Sequence, residues 1–238
     1  MSKIIITGAT GNAGSAVLSA AIASPDISHI TVLARRPPYE TSPKVEYIQI
    51  PSNEYPKGFD GIDEEPGLVE RLRGSGACIW ALGVSQTQVD EKEYYKITHD
   101  YTLKAAKAFS ALGTEAEPFR FVFMSAEGAR QDEKGWSAYS RVKGKTEREL
   151  AAMASKTFAP LSVRPAGINP TKEHSTRMHW LWGPGLRTTC AALKVVYPPM
   201  VVDASHLGKV CVSLAGGRGW DQMDVERVVS NVKLRKMI

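Results

Sequence analysis

The sequence predicts an α/β fold: a doubly wound parallel sheet in three α/β/α layers, formed as a single domain over residues 1–238. Three observations lead there. Short β-branched runs alternate with longer helical patterns, the runs are apolar on both faces, and the first passes straight into a glycine-rich turn that opens a helix. A chain of 238 residues suffices for one such sheet with its covering helices and is short for two independent domains.

The expected strands are "KIIIT" (3–7), "HITVLA" (29–34), "VEYIQI" (45–50), "ACIWAL" (77–82), "FRFVFMS" (119–125) and "LSVRP" (161–165). Each is a near-continuous apolar run, the pattern of a parallel strand covered by helices above and below. Helices are expected at about 12–23, 66–73, 91–112, 137–154 and 176–196. The Pro-rich "RRPPYETSPK" reads as a connecting loop, and no repeat or low-complexity tract interrupts the pattern. Past Pro165 there is room for another helix or two and a final strand, with "VVDASHLGKVCVSLAGG" as a last helix, and no room for a large second domain.

Ordinary apolar and charged fractions, 43% and 23%, exclude disorder, collagen-like repeats and coiled coil. A net charge of +5 suits an anionic ligand such as a phosphorylated cofactor, a nucleic acid or an acidic membrane surface alike. The basic residues are scattered except for the terminal "KLRKMI", which reads as a solvated tail, so a nucleic-acid partner is not expected. Cys78, Cys190 and Cys211 are odd in number, far apart and set in apolar surroundings, which suggests neither disulfides nor a metal site. His174 and His179 have the wrong spacing for a metal as well. The chain opens directly into "KIIITG" without a leader, and no apolar run approaches the roughly 18 residues of a membrane span. These features predict a cytoplasmic protein, with peripheral attachment to an organelle membrane such as that of mitochondria as the alternative.

The first strand runs into "TGATGNAGSAVLSAA", in which Gly8, Gly11 and Gly14 are spaced three apart as the helix begins. Unpaired N–H groups and the positive end of a helix dipole hold a diphosphate there, and missing side chains let the backbone approach it. The stretch from Gly8 through Thr10, Gly11, Asn12, Ala13 and Gly14 is therefore the candidate diphosphate cradle. An NAD site usually places an acid at the end of the second strand, on the ribose 2′-hydroxyl. Here Arg35 and Arg36 stand instead, suited by charge and fork geometry to a 2′-phosphate, which predicts NADP as the cofactor. The bland alternative is a pair of solvated cations after a strand.

With this turn, the strand end "ALG", the "MSAEGA" after the fifth strand and "YSRVK", the chain resembles the short-chain dehydrogenase/reductase superfamily, whose domain is a Rossmann fold. More narrowly, "ALGVSQTQVDEKEYYKITHDYTLKAAKAF", "YSRVKGKTERELA" and "LSVRPAGI" resemble its atypical branch containing the Tat-interacting oxidoreductase-like proteins, over roughly residues 3 to 170. The resemblance implies that Tyr139 is proton donor or acceptor at a substrate carbonyl or alcohol, with Lys143 one helical turn on stabilising its anion and bonding the nicotinamide ribose. Bringing a phenol from about 10 toward 7 takes roughly 4 kcal/mol of selective stabilisation. Ser125, at the carboxyl edge of the sheet, would bond the reacting oxygen, although alone it could be a turn or capping serine. Leu82 and Gly83 fall to the cofactor, as does the backbone of Pro165, Ala166, Gly167 and Ile168 beside the nicotinamide.

One feature departs from the family pattern. The helix after the fourth strand carries Thr98, His99 and Asp100 but no Asn for a proton relay. His99 reads as a partly exposed helix histidine and Asp100 as a residue orienting backbone. Residues 168–200 form the substrate-side segment, in which Met178, His179, Trp180 and Trp182 either wall an apolar pocket or pack a helix on the core.

The leading expectation is an NADP-dependent oxidoreductase acting on a small-molecule carbonyl or alcohol, as a monomer or homodimer. A non-catalytic NADP-binding regulatory or assembly protein is the alternative of a different class. A nucleotide-sugar epimerase or dehydratase is disfavoured by the short stretch after Pro165.

Overall fold

Residues apolar on both faces can be buried only where helices lie above and below a sheet, and each β-branched run of the chain finds such a place. The computed structural model describes residues 2–177, 185, 188–190, 193, 200–220 and 227–237. β1 (Ser2–Thr7) leads into α1 (Asn12–Ala23), followed by β2 (Ile27–Ala34) and β3 (Val45–Gln49). A 3₁₀ segment (Gly58–Glu64) and α2 (Pro66–Arg71) precede β4 (Ser75–Trp80). α3 (Glu91–Tyr95), a π turn (Lys96–Asp100) and α4 (Tyr101–Ser110) make one helical run before β5 (Phe119–Met124). Then come α5 (Ala138–Ala152), β6 (Phe158–Arg164), β7 (Gly167–Asn169) and α6 (Lys172–Arg177). β8 (Val201–Asp203), α7 (Ala204–Ala215), β9 (Val228–Ser230) and α8 (Asn231–Leu234) complete the described elements.

Seven strands pair in the order β3-β2-β1-β4-β5-β6-β9, parallel throughout. One face buries Ile4, Ile6, Val32 and Ile79 beneath α1 and α7. The other buries Ile5, Cys78, Trp80, Phe121 and Phe123 beneath α4 and α5. This is the expected three-layer, doubly wound Rossmann architecture. The chain order reverses between β1 and β4, and ligands of such sheets bind in the crevice that opens there beyond the strands' carboxyl ends.

Past Pro165 the described chain forms three short strands rather than one, and the expected last helix begins at Ala204, after β8; β6 and His99 also differ from expectation, for reasons visible in the packing. β6 starts at Phe158 rather than 161, because Pro160 is tolerated: it faces Phe121 of β5, while β9 pairs only from Ser162 onward, leaving that side of Pro160 without a ladder partner. His99, expected to be partly exposed, is only 7% exposed, held between the carboxylates of Asp100 (2.8 Å) and Glu149 (3.0 Å) and stacked on Tyr95. Asp100 thus orients a side chain rather than backbone. Of the helix expected at 176–196 the structure describes only scattered residues, and Met178, His179, Trp180 and Trp182 lie outside the described residues.

Candidate active site

The turn after β1 is built by its own backbone. Gly8 has φ +66°, a region that L side chains avoid, and a Cβ there would lie 2.2 Å from the Ala81 carbonyl oxygen. A Cβ on Gly14 would lie 2.0 Å from the Gly8 oxygen, so helix and turn touch. Gly11 is different. It is exposed, has ordinary negative φ, and its Cβ would meet nothing nearer than the Gly8 oxygen at 3.4 Å. The chain's own packing does not require glycine at that position. Gly11 also caps α1 with no side-chain hydrogen bond, and the first-turn N–H groups of a helix have no partner within it. Thr10 sits half-buried in the same turn.

Asn12 connects this turn to the far side of the crevice. Its Nδ2 donates to the Ile168 carbonyl at 3.0 Å, and its buried Oδ1 has no partner among the described residues. Across the crevice, the Asn231 side chain accepts from the Ala166 N–H at 3.0 Å and the Pro165 carbonyl accepts from the Glu127 N–H at 2.9 Å. Gly167 and Ile168 enter β7, paired with β8. Thr7 Oγ1 accepts from the Leu82 N–H at 3.1 Å, fixing the ends of β1 and β4 together, and Gly83 stands exposed just beyond. Arg35 and Arg36 are exposed immediately after β2 and form no ion pair among the described residues. Nearby, Arg177 lies over the Tyr39 ring at 4.4 Å.

On the other side of the sheet edge, α5 starts at Ser137, whose side chain caps the helix by accepting from the Ser140 N–H at 3.2 Å. Tyr139 and Lys143 follow one turn apart, with the Lys143 ammonium 5.8 Å from the Tyr139 ring centre and 5.4 Å from that of Phe123. Lys143 donates to the carbonyls of Met124 (2.9 Å) and Ser125 (3.2 Å), so it is fastened to the end of β5 with one proton left over. Ser125 is buried and its backbone N–H donates to Val163, but its hydroxyl has no partner among the described residues. A buried hydroxyl left unpaired costs about 1–3 kcal/mol.

Electrostatics set the resting protonation of this group. Burial pushes the Lys143 ammonium down to about 8, with Glu147 pulling the other way. Burial raises the Tyr139 phenol, and the charges of Glu127 and Glu147 raise it further. The expectation joins Lys143 with an oxidised nicotinamide in drawing the phenol downward; the chain's own groups hold it up, because Lys143 gives two N–H bonds to backbone carbonyls and two carboxylates oppose the anion.

Several residues of this region carried no signal in the sequence. Glu147 is 1% exposed and paired bidentately with Arg164 of β6 (2.9 and 2.5 Å), although it sits in a charged stretch that reads as a solvated helix face. Asn231 acts from 65 residues away. Gln86, in the loop after β4, accepts from the Tyr139 N–H at 3.2 Å. Among the described residues no cluster of His, Cys, Asp and Glu could hold a metal, and no helix is long and apolar enough to cross a membrane.

No family model matches the chain. It is 31% identical over 198 residues to the leucinostatins biosynthesis cluster protein T of Purpureocillium lilacinum, covering 75% of this chain and 69% of that one. It is 29% identical over 178 residues to the mitochondrial protein fmp52 of Emericella nidulans, covering 74% and 70%. Among solved structures, a short-chain dehydrogenase/reductase of Saccharomyces cerevisiae superposes with a TM-score of 0.68 at 15% identity, over 97% of this chain and 96% of that one. A short-chain dehydrogenase of Burkholderia cenocepacia in complex with NADP gives 0.66 at 14%, over 96% and 87%. The cytoplasmic expectation is overturned by these relatives: fmp52 proteins of Emericella nidulans, Aspergillus terreus, Aspergillus fumigatus and Kluyveromyces lactis all bear the name mitochondrial.

Proposed function

The chain belongs to the short-chain dehydrogenase/reductase superfamily, in the atypical branch of the fmp52-type proteins, and from that premise we propose that it is an NADP(H)-dependent oxidoreductase of a carbonyl or alcohol substrate. The observation that carries the proposal is the convergence, at one sheet edge, of an unpaired buried Ser125 hydroxyl with Lys143 and Tyr139 on one face of α5.

The residues present fit a dinucleotide. Gly11 leaves room where the chain's own packing needs none, the first turn of α1 offers its N–H groups, and the orphaned Asn12 Oδ1 points to a missing partner. Arg35 and Arg36 would hold a 2′-phosphate, which favours NADP over NAD. The backbone from Pro165 to Ile168, with Leu82 and Gly83, would flank the nicotinamide, which when bound supplies or accepts the hydride.

The chain's own residues handle the proton. Ser125 donates its free O–H to the substrate oxygen and orients it. Tyr139 gives its phenolic proton to that oxygen in reduction and takes it back in oxidation. Lys143, fixed by the Met124 and Ser125 carbonyls, holds a positive charge beside the forming phenolate and has one N–H left for a ribose hydroxyl. Glu147, neutralised in part by Arg164, keeps Lys143 protonated in a buried place.

The experiment is direct: consumption of NADPH and of NADH by the purified protein over a panel of aldehydes, ketones and quinones. Turnover favouring NADPH supports the reading. Tight NADPH binding with no turnover anywhere in the panel would leave a regulatory cofactor-binding module. We further propose a mitochondrial location on the strength of the fmp52 relatives, tested by fractionation of the tagged protein.

A further inference from the structure

Helix α6 and the loop after β2 are both fastened to one face of α1, and they meet each other. Ser15, directly after Gly14 of the glycine turn, and Ser19 lie one turn apart on α1. The Ser15 hydroxyl and His174 Nδ1 of α6 are 3.3 Å apart, and the Ser19 hydroxyl donates to Glu40 of the loop at 2.5 Å. Arg177, one turn beyond His174, lays its guanidinium over the ring of Tyr39, the neighbour of Glu40, at 4.4 Å from the ring centre. Helix, loop and α1 thus brace one another, and Arg177 is set on the loop that opens with Arg35 and Arg36.

Three guanidiniums gather there without a counter-ion. Arg35, Arg36 and Arg177 are exposed and form no ion pair among the described residues, whereas Arg71, Arg130, Arg141, Arg148 and Arg164 each hold a carboxylate. Glu40, the one acid between Arg35 and Lys44, is spent on Ser19. Arg177 makes no hydrogen bond among the described residues either, so its whole N–H fork is uncommitted. Three residues of chain span at most about 11 Å, a gap that Arg36 and the guanidinium resting on Tyr39 can close around one phosphate. Like charges held this near repel until an anion joins them.

We propose that Arg177 is a third cation of the 2′-phosphate site, brought to it by α6 and held ready on the Tyr39 ring. The inference rests on the reading of this crevice as an NADP site. A guanidinium fork gives a phosphate two N–H bonds at once, and the ring beneath keeps the plane of the fork in place. Because α6 follows β7 by only two residues, an anion bound to Arg177 also fastens the start of the substrate-side segment. NADP therefore ties that segment to the loop after β2, and NAD, with a hydroxyl in place of the phosphate, does not.

The test is fluorescence titration of NADPH and NADH against the parent and exposed-site variants, which leave the core untouched. In Arg177→Met the NADPH affinity is expected to fall about tenfold, with NADH changed by less than about twofold. Tyr39→Leu keeps the cation but removes its platform, and is expected to cost NADPH about threefold. Lys172→Met takes the same charge from the exposed start of α6 and is expected to change NADPH by less than about twofold. Amide hydrogen exchange over 172–177 reads the tie itself: NADPH is expected to protect it more than NADH does in the parent, and equally in Arg177→Met. NADPH binding indifferent to Arg177→Met, an equal loss in Lys172→Met, or equal protection of the parent by both cofactors overturns the proposal. A parent that binds neither cofactor, or NADPH binding indifferent to Arg35→Ala with Arg36→Ala, would sink the NADP reading and this inference with it. NADPH binding that needs Arg35 and Arg36 but not Arg177 would sink this inference alone.

Discussion

Replacing each glycine of the first turn by alanine separates what the fold needs from what a ligand needs. At Gly14 a new Cβ would lie 2.0 Å from the Gly8 oxygen, well inside contact distance, so backbone must move. Alanine returns about 1 kcal/mol of helix propensity, but forced overpacking costs typically 1–3 kcal/mol and more where backbone is the obstacle. The net loss is about 1–2 kcal/mol, or roughly 2–8 °C in Tm for a domain of this size. At Gly8 the clash with Ala81 at 2.2 Å is joined by the positive φ, worth about 1–2 kcal/mol more, and the loss is larger. At Gly11 the nearest atom stands at 3.4 Å and φ is −84°, so Tm should change by no more than about 2 °C. Yet if the turn cradles a diphosphate as proposed, a methyl group there would take up its space, and NADPH affinity should fall at least about tenfold, close to 1.4 kcal/mol. Thermal unfolding together with fluorescence titration of NADPH reads both effects. If Gly11→Ala binds NADPH as the parent does, the turn is not the cofactor cradle.

Other outcomes follow from neighbouring groups. Arg35→Ala with Arg36→Ala should weaken NADPH at least about tenfold and leave NADH nearly unchanged in the same titration, and equal losses for the two would remove the 2′-phosphate assignment. Arg164→Met strands the buried Glu147 carboxylate and should destabilise the fold by about 3–5 kcal/mol in a denaturant melt, more than Arg164→Met combined with Glu147→Leu. Lys143, depressed to about 8 by burial, supports the phenolate only while protonated, so kcat/KM should fall on the alkaline side near pH 8. Glu147→Gln removes the charge that holds Lys143 up, and the same limb should move to lower pH. For stability the sign runs the other way: between about pH 8 and its unfolded value near 10.4, the unfolded chain holds the Lys143 proton that the folded chain has lost, so this group's penalty fades as pH rises.

The sheet was legible because parallel strands buried on both faces leave an unbroken apolar signature, and Gly8 and Gly14 because steric need is written in residue type. Tyr139, Lys143 and Ser125 could be named as candidates from their order along the chain, and the structure brings Lys143 against the Ser125 carbonyl. What could not be read depends on which elements lie side by side. Glu147 looks like a solvated charge until Arg164 of β6 reaches it, and His99 looks exposed until α5 brings Glu149 to it. Asn231 holds the Ala166 backbone through a fold-back that no local pattern announces. Pro160 hid the start of β6 because the rule against proline in strands has an exception on an unpaired side, and pairing is invisible from one strand alone.

The central claim is that Tyr139 moves the proton in an NADPH-dependent reduction. Its most direct test is kcat of Tyr139→Phe against the parent, on whichever carbonyl of the panel turns over fastest, with NADPH affinity measured on the same preparations. The account predicts a fall of about 10²–10⁴-fold in kcat with NADPH affinity unchanged. Equal turnover by the two proteins would contradict it.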